Sequence, residues 1–151
     1  MKILSVDLGK VRTGLAVSDI GEVLASPLCV IAEKNAKILA EKIDQVCNDE
    51  RIAKIVLGLP KNMDGSEGES AQNAKTFGKM LEEKTQLPVI LLDERGTTIT
   101  AHNYLNETNT RGKKRKRVVD AVAATVILQA YLDGQKSERV DQITIPIDLL
   151  T

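Results

Sequence analysis

The hydrophobic pattern of the chain changes its period at about residue 35, and this change restricts the possible folds more than any other feature. Before that point the pattern is extended, in three short runs that glycine-containing turns connect. The three runs are residues 2–7, 12–18 and 23–31, and the two turns are Gly9-Lys10 and Asp19 to Glu22. Such a succession is typical of an antiparallel meander. Pro27 indicates an irregularity or a sheet edge in the third run, because proline cannot donate to a strand ladder.

Beyond residue 35, helical and extended periods alternate. Apolar residues recur at three- and four-residue steps in a first helix, which Asn35 can cap. We expect a second helix to begin at Ser66, with Glu69 completing a capping box. The apolar stripes are Ala36, Leu39, Ala40, Ile43, Val46 and Cys47 in the first helix, and Ala71, Ala74, Phe77, Gly78 and Leu81 in the second.

Two short apolar runs, 54–58 and 88–92, are predicted to be buried strands. The second, PVILL, is continuous, as in a strand covered on both faces. Two helical stretches follow, from Thr97 or Thr98 to about Glu107 and from Val118 to Gly134. Strands that alternate with helices imply parallel pairing. The sequence therefore predicts one α/β domain over 1–151, with a mixed sheet whose first three strands are antiparallel.

The composition fits a globular protein, with 42% hydrophobic and 28% charged residues. No apolar run approaches the roughly 20 residues of a membrane helix, and the N-terminus lacks the length and cleavage site of a signal peptide. Cys29 and Cys47 lie too far apart for a close-spaced zinc pair, so both are expected to be reduced core residues. We therefore expect a cytoplasmic protein.

One basic run dominates the charge distribution. Its six charges in seven positions are Arg111, Lys113, Lys114, Arg115, Lys116 and Arg117. Because the whole chain is neutral, the remainder carries the compensating charge of −6. A local basic patch on a mildly acidic body favours contact with phosphates. A solvated loop is an equally simple interpretation of the run.

Three carboxylates stand where strands end or a long helix begins. Asp7 closes the first strand, Glu94 follows Asp93 at the end of PVILL, and Asp120 lies near the start of the last helix. Sites of α/β sheets gather at the carboxyl ends of strands, which favours one shared site. Each acid also has a structural interpretation: a solvent-facing or turn-capping Asp7, an exposed Glu94 paired with Arg95, and an Asp120 favoured by the helix dipole. Oxygen ligands without soft donors favour Mg²⁺ or Mn²⁺ over zinc.

Four segments carry a family resemblance. They are D-L-G-K-V-R-T-G-L-A-V-S-D at 7–19, V-L-G-L-P-K-N-M-D-G-S-E-G at 56–68, D-E-R-G-T-T at 93–98 and V-D-A-V-A-A-T-V-I-L-Q at 119–129. In this order they resemble the YqgF family of Holliday junction resolvases and pre-16S ribosomal RNA nucleases, from Met1 to about Leu132. The resemblance implies a ribonuclease H-like fold, with a five-stranded mixed sheet flanked by helices, and metal-dependent hydrolysis of phosphodiester bonds.

The resemblance also implies roles for single residues. Asp7, Glu94 and Asp120 are expected to be catalytic and to hold Mg²⁺ or Mn²⁺. The loop from Gly58 to Gly68 and the basic run are expected to flank the cleft. The residues expected to bind phosphates of structured RNA or branched DNA are Arg95, Lys113, Lys114, Arg115, Lys116 and Arg117. A junction resolvase is expected to act as a symmetric dimer, and the sequence leaves both a monomer and a homodimer open.

Two other functions stay open at this point. The opening D-L-G-K-V-R-T-G resembles the phosphate-binding hairpin of the actin and sugar kinase group, although 151 residues leave no room for the second domain that encloses ATP in those proteins. In a non-catalytic nucleic-acid-binding or ribosome-associated module, the carboxylates would only order the end of the sheet. His102, the only histidine, is not expected to be catalytic, and the tail 142–151 has no assigned place.

Overall fold

The computed structural model describes residues 1–59, 68–93 and 122–135. In these ranges the chain forms five strands and three helices in the predicted order. Their bounds are β1 Lys2–Asp7, β2 Arg12–Ser18, β3 Ala25–Ala32, α1 Ala36–Glu50, β4 Ile52–Leu59, α2 Glu69–Thr85, β5 Val89–Asp93 and α3 over 122–135. None of the three helices is long and apolar enough to cross a membrane.

All five strands belong to one sheet, in the order β3-β2-β1-β4-β5. β1 pairs antiparallel with β2, and β2 pairs antiparallel with β3. β4 lies parallel to both β1 and β5. The predicted mixed sheet is therefore confirmed. Because β1 has a partner on each side, Asp7 at its end lies within the sheet rather than at its rim.

Successive side chains of β1 alternate between the two faces of the sheet. Leu4 and Val6 belong to one buried cluster with α1 and α2, whereas Ile3 belongs to a second cluster with α3. We call these surfaces the helix-pair face and the α3 face. The main helix residues on the helix-pair face are Leu39, Ile43, Cys47, Ala71, Ala74, Phe77 and Leu81, and those on the α3 face are Ala124, Ile127, Leu128, Tyr131 and Leu132.

Local signals in the sequence explain several element boundaries. Asn35 caps α1 as predicted, because its side-chain oxygen accepts a hydrogen bond from the backbone N–H of Ile38 at 3.1 Å. The register between β2 and β3 shifts beside Pro27, which confirms the expected irregularity. Gly9 turns the chain between β1 and β2, where a Cβ atom would collide with the carbonyl oxygen of Arg12. Only glycine fits this turn, which follows directly on Asp7 and Leu8.

Two local predictions are wrong. α2 begins at Glu69, with Gly68 as its N-cap and without a side-chain capping bond, so the expected start at Ser66 is incorrect. Cys29 is exposed because β3 is an edge strand, and only Cys47 belongs to the core. Burial raises the pKa of the Cys47 thiol to about 12, which keeps it protonated near neutral pH.

Strand limits differ from the predicted ones by one or two residues. The runs predicted at 23–31, 54–58 and 88–92 form the strands Ala25–Ala32, Ile52–Leu59 and Val89–Asp93. The prediction that PVILL is a buried strand covered on both faces is wrong, because none of the residues 88–92 is fully buried. β5 is the second edge strand, and Leu91 is 39% exposed.

Thr13 on β2 allows a test of this packing. Its Oγ1 atom is buried and has no hydrogen-bond partner in the part of the chain that the structure describes. A buried unsatisfied hydroxyl costs about 1–3 kcal/mol. Thr13→Val, which replaces the hydroxyl by a methyl group, should therefore raise the free energy of unfolding by about 1 kcal/mol in urea denaturation.

The control for this substitution is Thr76→Val on the exposed side of α2. The Thr76 hydroxyl donates to the carbonyl oxygen of Gln72 at 3.0 Å, so its loss should give no gain in stability. A decrease in stability for Thr13→Val would contradict the assignment of an unsatisfied hydroxyl.

Candidate active site

The C-terminal ends of β1, β4 and β5 form one edge of the sheet, because these neighbouring strands are parallel. Asp7 is the last residue of β1, and Leu59 pairs with Asp93 where β4 and β5 end. Glu94 follows directly in the sequence. The topology therefore brings Asp7 and the end of PVILL to the same edge, where sites of α/β sheets are usually found.

Asp7 is half-buried and lies on the α3 face of the sheet. Ile3 and Ser5, four and two residues earlier, both contact α3, and strand alternation gives Asp7 the same side. By the same alternation the flanking positions on this face are glycines. Gly14 on β2 pairs with Asp7, and Gly58 has the corresponding place on β4. The positions directly beside Asp7 on the two neighbouring strands therefore carry no side chain.

The direction of α3 is given by two side-chain contacts. Ser5 Oγ donates to the carbonyl oxygen of Ala124 at 2.6 Å, near the start of the described helix. Further along, Lys54 Nζ donates to the Tyr131 hydroxyl at 3.1 Å, and Lys54 lies near the beginning of β4. α3 therefore runs antiparallel to β1, and its first described turn points toward Asp7.

Gln129 attaches the later part of α3 to the opposite edge of the sheet. Its Oε1 accepts from the backbone N–H of Ala25 at 2.9 Å. Its Nε2 donates to the carbonyl oxygen of Val23 and to the Asp133 carboxylate, both at 3.0 Å. These bonds join α3 to the start of β3, far from Asp7. The helix is thus held by polar contacts at both ends of its path across the sheet.

Two other carboxylates near the sheet have structural partners. Asp19 accepts from two backbone N–H groups of its own turn, including that of Val23, at 2.8 and 3.1 Å, and these bonds lower its pKa. Glu33 accepts from the backbone N–H of Asn35 and contacts Lys42 at 3.1 Å, which also lowers its pKa. Both acids order turns or helix starts, so neither is a strong alternative to Asp7.

Most of the predicted site lies outside the described residues. This applies to Glu94, Arg95, His102, Asp120, the basic run Arg111, Lys113, Lys114, Arg115, Lys116 and Arg117, positions 60–67 of the expected loop, and the tail 142–151.

Of the three carboxylates predicted to bind a metal, Asp7 is the one that lies among the described residues. No group of three or more His, Cys, Asp or Glu side chains that could hold a metal ion occurs within 1–59, 68–93 and 122–135. A carboxylate oxygen is a hard ligand that suits Mg²⁺ or Mn²⁺. The two glycines beside Asp7 fit such an ion, because a glycine adds no side chain at the paired positions.

Ser5 and Gly14 were not singled out from the sequence. Ser5 stands in K-I-L-S-V-D between apolar neighbours, and a hydroxyl in a strand of this kind is a signal for a buried hydrogen bond. The sequence alone does not indicate a role for Gly14. Its role follows from the strand register, which pairs it with Asp7.

Comparisons with known proteins agree on one family. The sequence model of the family described as RuvX, Holliday junction resolvase, matches residues 1–134. A protein of Clostridium botulinum (strain Eklund 17B / Type B), named a pre-16S rRNA nuclease, is 42% identical over 133 residues, which are 88% of this chain and 97% of that protein. A protein of Caldanaerobacter subterraneus subsp. tengcongensis with the same name is 40% identical over 139 residues, 91% of this chain and 99% of its own.

Two solved structures share the fold. One is T. thermophilus RuvC in complex with a Holliday junction substrate, with a TM-score of 0.56 and 13% identity over 88% of this chain and 96% of that one. The other is the Fowlpox virus resolvase with substrate Holliday junction DNA, with a TM-score of 0.53 and 14% identity over 89% and 99%. At such identities the likeness concerns the fold alone, and it confirms the expected ribonuclease H-like arrangement.

Proposed function

The chain belongs to the RuvX family of Holliday junction resolvases, and on this premise we propose that it is a nuclease that cuts phosphodiester bonds at the C-terminal edge of its sheet with the help of a divalent metal ion. The observation that carries the proposal is the position of Asp7. It ends the central strand, faces α3 and has glycines on both neighbouring strands. The family and its named relatives make phosphotransfer from ATP the weaker alternative.

We propose the same edge for the other two carboxylates. Leu92 on β5 packs on the α3 face. Glu94 follows Leu92 by two residues, and the period of two in a strand favours Glu94 over Asp93 as the partner of Asp7. Asp120 precedes the described part of α3 by two residues, and the first turn of this helix points toward Asp7. These relations support a site that contains Asp7, Glu94 and Asp120.

Asp7, Glu94 and Asp120 are the residues that would hold Mg²⁺ or Mn²⁺. A divalent ion at such a site supplies positive charge against the phosphate and a water of lowered pKa. The contribution of the chain itself is geometric. Asp7 ends a strand that is paired on both sides, so the backbone that carries its carboxylate is held in place.

We propose precursor ribosomal RNA as the substrate. The relatives that support this choice are about 40% identical over nearly their whole length and are named pre-16S rRNA nucleases. Branched DNA is the second candidate, because the family description specifies Holliday junctions. An enzyme acting on precursor RNA is expected in the cytoplasm, as a monomer or a homodimer.

Arg95 and the basic run are proposed to bind the phosphates of the substrate. Arg95 follows Glu94, and the run ends three residues before Asp120, so both flank the proposed carboxylates in the sequence. Contacts of this kind position a strand without reading its sequence. The residues concerned are Arg95, Lys113, Lys114, Arg115, Lys116 and Arg117.

Asp7→Asn tests the nuclease assignment. The amide keeps the shape of the side chain but removes the negative charge that binds a divalent ion. The rate of Mn²⁺-dependent cleavage of labelled precursor rRNA or branched DNA should fall by more than about 100-fold. Even the loss of a residue that only hydrogen-bonds to a metal ligand typically lowers metal affinity or activity by 10–100-fold. Added ATP should change the cleavage rate of neither the wild type nor the variant.

Asp133→Asn is the matched control. Asp133 is an exposed carboxylate on α3, far from the proposed site, so this variant should cleave at the wild-type rate. Circular dichroism and urea denaturation show whether both variants fold. A folded Asp7→Asn variant with wild-type activity would remove Asp7 from the mechanism.

Replacing Lys113 and Lys114 together by Gln tests the basic run. If each lysine contacts a phosphate, the slope of log K against log salt concentration should flatten by about 0.7–0.9 for each lost contact. The control replaces Lys79 and Lys84, exposed lysines of α2, and should leave the slope unchanged. An unchanged slope in the first variant would favour the solvated loop.

A further inference from the structure

We infer that Ser5 is a positioning residue for this nuclease site: its hydroxyl fixes where α3 lies along the strand that ends at Asp7. The inference rests on the proposed function, because it concerns how two of the proposed metal-binding carboxylates are brought together. Ser5 does not touch the reacting groups itself. It acts through the backbone of α3.

The contact between Ser5 and Ala124 is short and fully buried. Ser5 Oγ donates to the carbonyl oxygen of Ala124 at 2.6 Å, and both residues are 0% exposed. The surroundings on the α3 face are apolar, including Ile3 and Ile127. Apolar burial is non-directional, so it holds a helix against a sheet without fixing its position along the strand. Of the hydrogen bonds that attach α3 to the sheet, those of Gln129 and Tyr131 lie further along the helix, and the Ser5 bond fixes the part of α3 that is nearer to Asp7.

The bond lies close in sequence to both proposed ligands. Ser5 is two residues from Asp7, which is about 6.6–6.8 Å along a strand. Ala124 is four residues from Asp120. A shift of α3 along β1 would therefore change the distance between the two carboxylates directly. A displacement of a catalytic group by about 1 Å can lower the rate of the reaction about 100-fold.

Gln129 makes a matched comparison possible. Its side chain also links α3 to the sheet by hydrogen bonds to backbone groups, those of Ala25 and Val23. These bonds lie at the edge of the sheet remote from Asp7. Loss of either link should loosen the attachment of α3, but only loss of the Ser5 link should disturb the proposed site.

The experiment compares Ser5→Ala with Gln129→Ala in the full chain. Ser5→Ala should fold, because Ala fits the space of Ser and the Ala124 carbonyl oxygen keeps its acceptor place in the helix ladder. Urea denaturation measures the stability of both variants. Mn²⁺ affinity is measured on the substrate-free protein by electron paramagnetic resonance, and kcat and KM are measured on labelled precursor rRNA.

For Ser5→Ala we expect a dissociation constant for Mn²⁺ that rises by about 10-fold and a kcat that falls by about 10–100-fold, with KM within twofold of the wild type. For Gln129→Ala we expect lower stability, with Mn²⁺ affinity and kcat within twofold of the wild type. Equal losses of kcat in the two variants would overturn the inference. So would wild-type Mn²⁺ affinity and kcat in Ser5→Ala.

Asp7→Asn separates this inference from the proposed function. If the wild type cleaves, Asp7→Asn does not, and Ser5→Ala behaves as the wild type, only the positioning role fails. If the wild type shows no Mn²⁺-dependent cleavage and Asp7→Asn binds Mn²⁺ as well as the wild type does, the nuclease site itself fails, and with it the role of Ser5.

Discussion

The central strand β1 is hydrogen-bonded to a neighbouring strand on each side, and this double pairing positions both layers of helices and Asp7. Hydrogen bonds to β2 on one side and to β4 on the other fix this strand in both position and register. A slip by one residue would exchange the two faces of the strand and move the core residues of each cluster to the wrong side of the sheet. Asp7, the last residue of β1, therefore has a fixed place and a fixed face, and the proposed chemistry starts from this one carboxylate.

The two faces of the sheet are covered by different helices, and only one of them carries Asp7. α1 and α2 cover the helix-pair face with a continuous apolar layer, in which Leu81 and Phe77 are buried. α3 covers the other face, and it is the face of Asp7. Two hydrogen-bonded side chains hold α3, Ser5 near the start of the helix and Gln129 near its middle. This arrangement suits a site whose ligands come from both a strand and a segment next to a helix, because their separation depends on where the helix lies.

Much of the fold could be predicted because the signals are local. The stripe of α2 was predicted residue by residue, and the Asn35 cap was identified from the residue type at the point where the period changes. Cys29 was misassigned because a strand at the sheet edge has the same local pattern as one inside. The prediction for the start of α2 is wrong because a capping box at Ser66 looks as favourable in the sequence as a glycine N-cap.

The candidate site could be predicted only in part. Asp7 stands out in the sequence as an acid in an apolar strand. The face on which it lies, its glycine neighbours and the contact of Ser5 all depend on tertiary pairing.

We propose that Asp7, Glu94 and Asp120 share one divalent metal site on the α3 face of the sheet. Anomalous diffraction from crystals of the protein grown with Mn²⁺ would locate the ion and its ligands. We expect an anomalous peak at the C-terminal edge of β1, with carboxylate oxygens of all three residues at about 2.0–2.2 Å from the ion, near the distance typical of Mg²⁺. A Mn²⁺ ion bound on the helix-pair face, or one bound at this edge without Asp7, would contradict it.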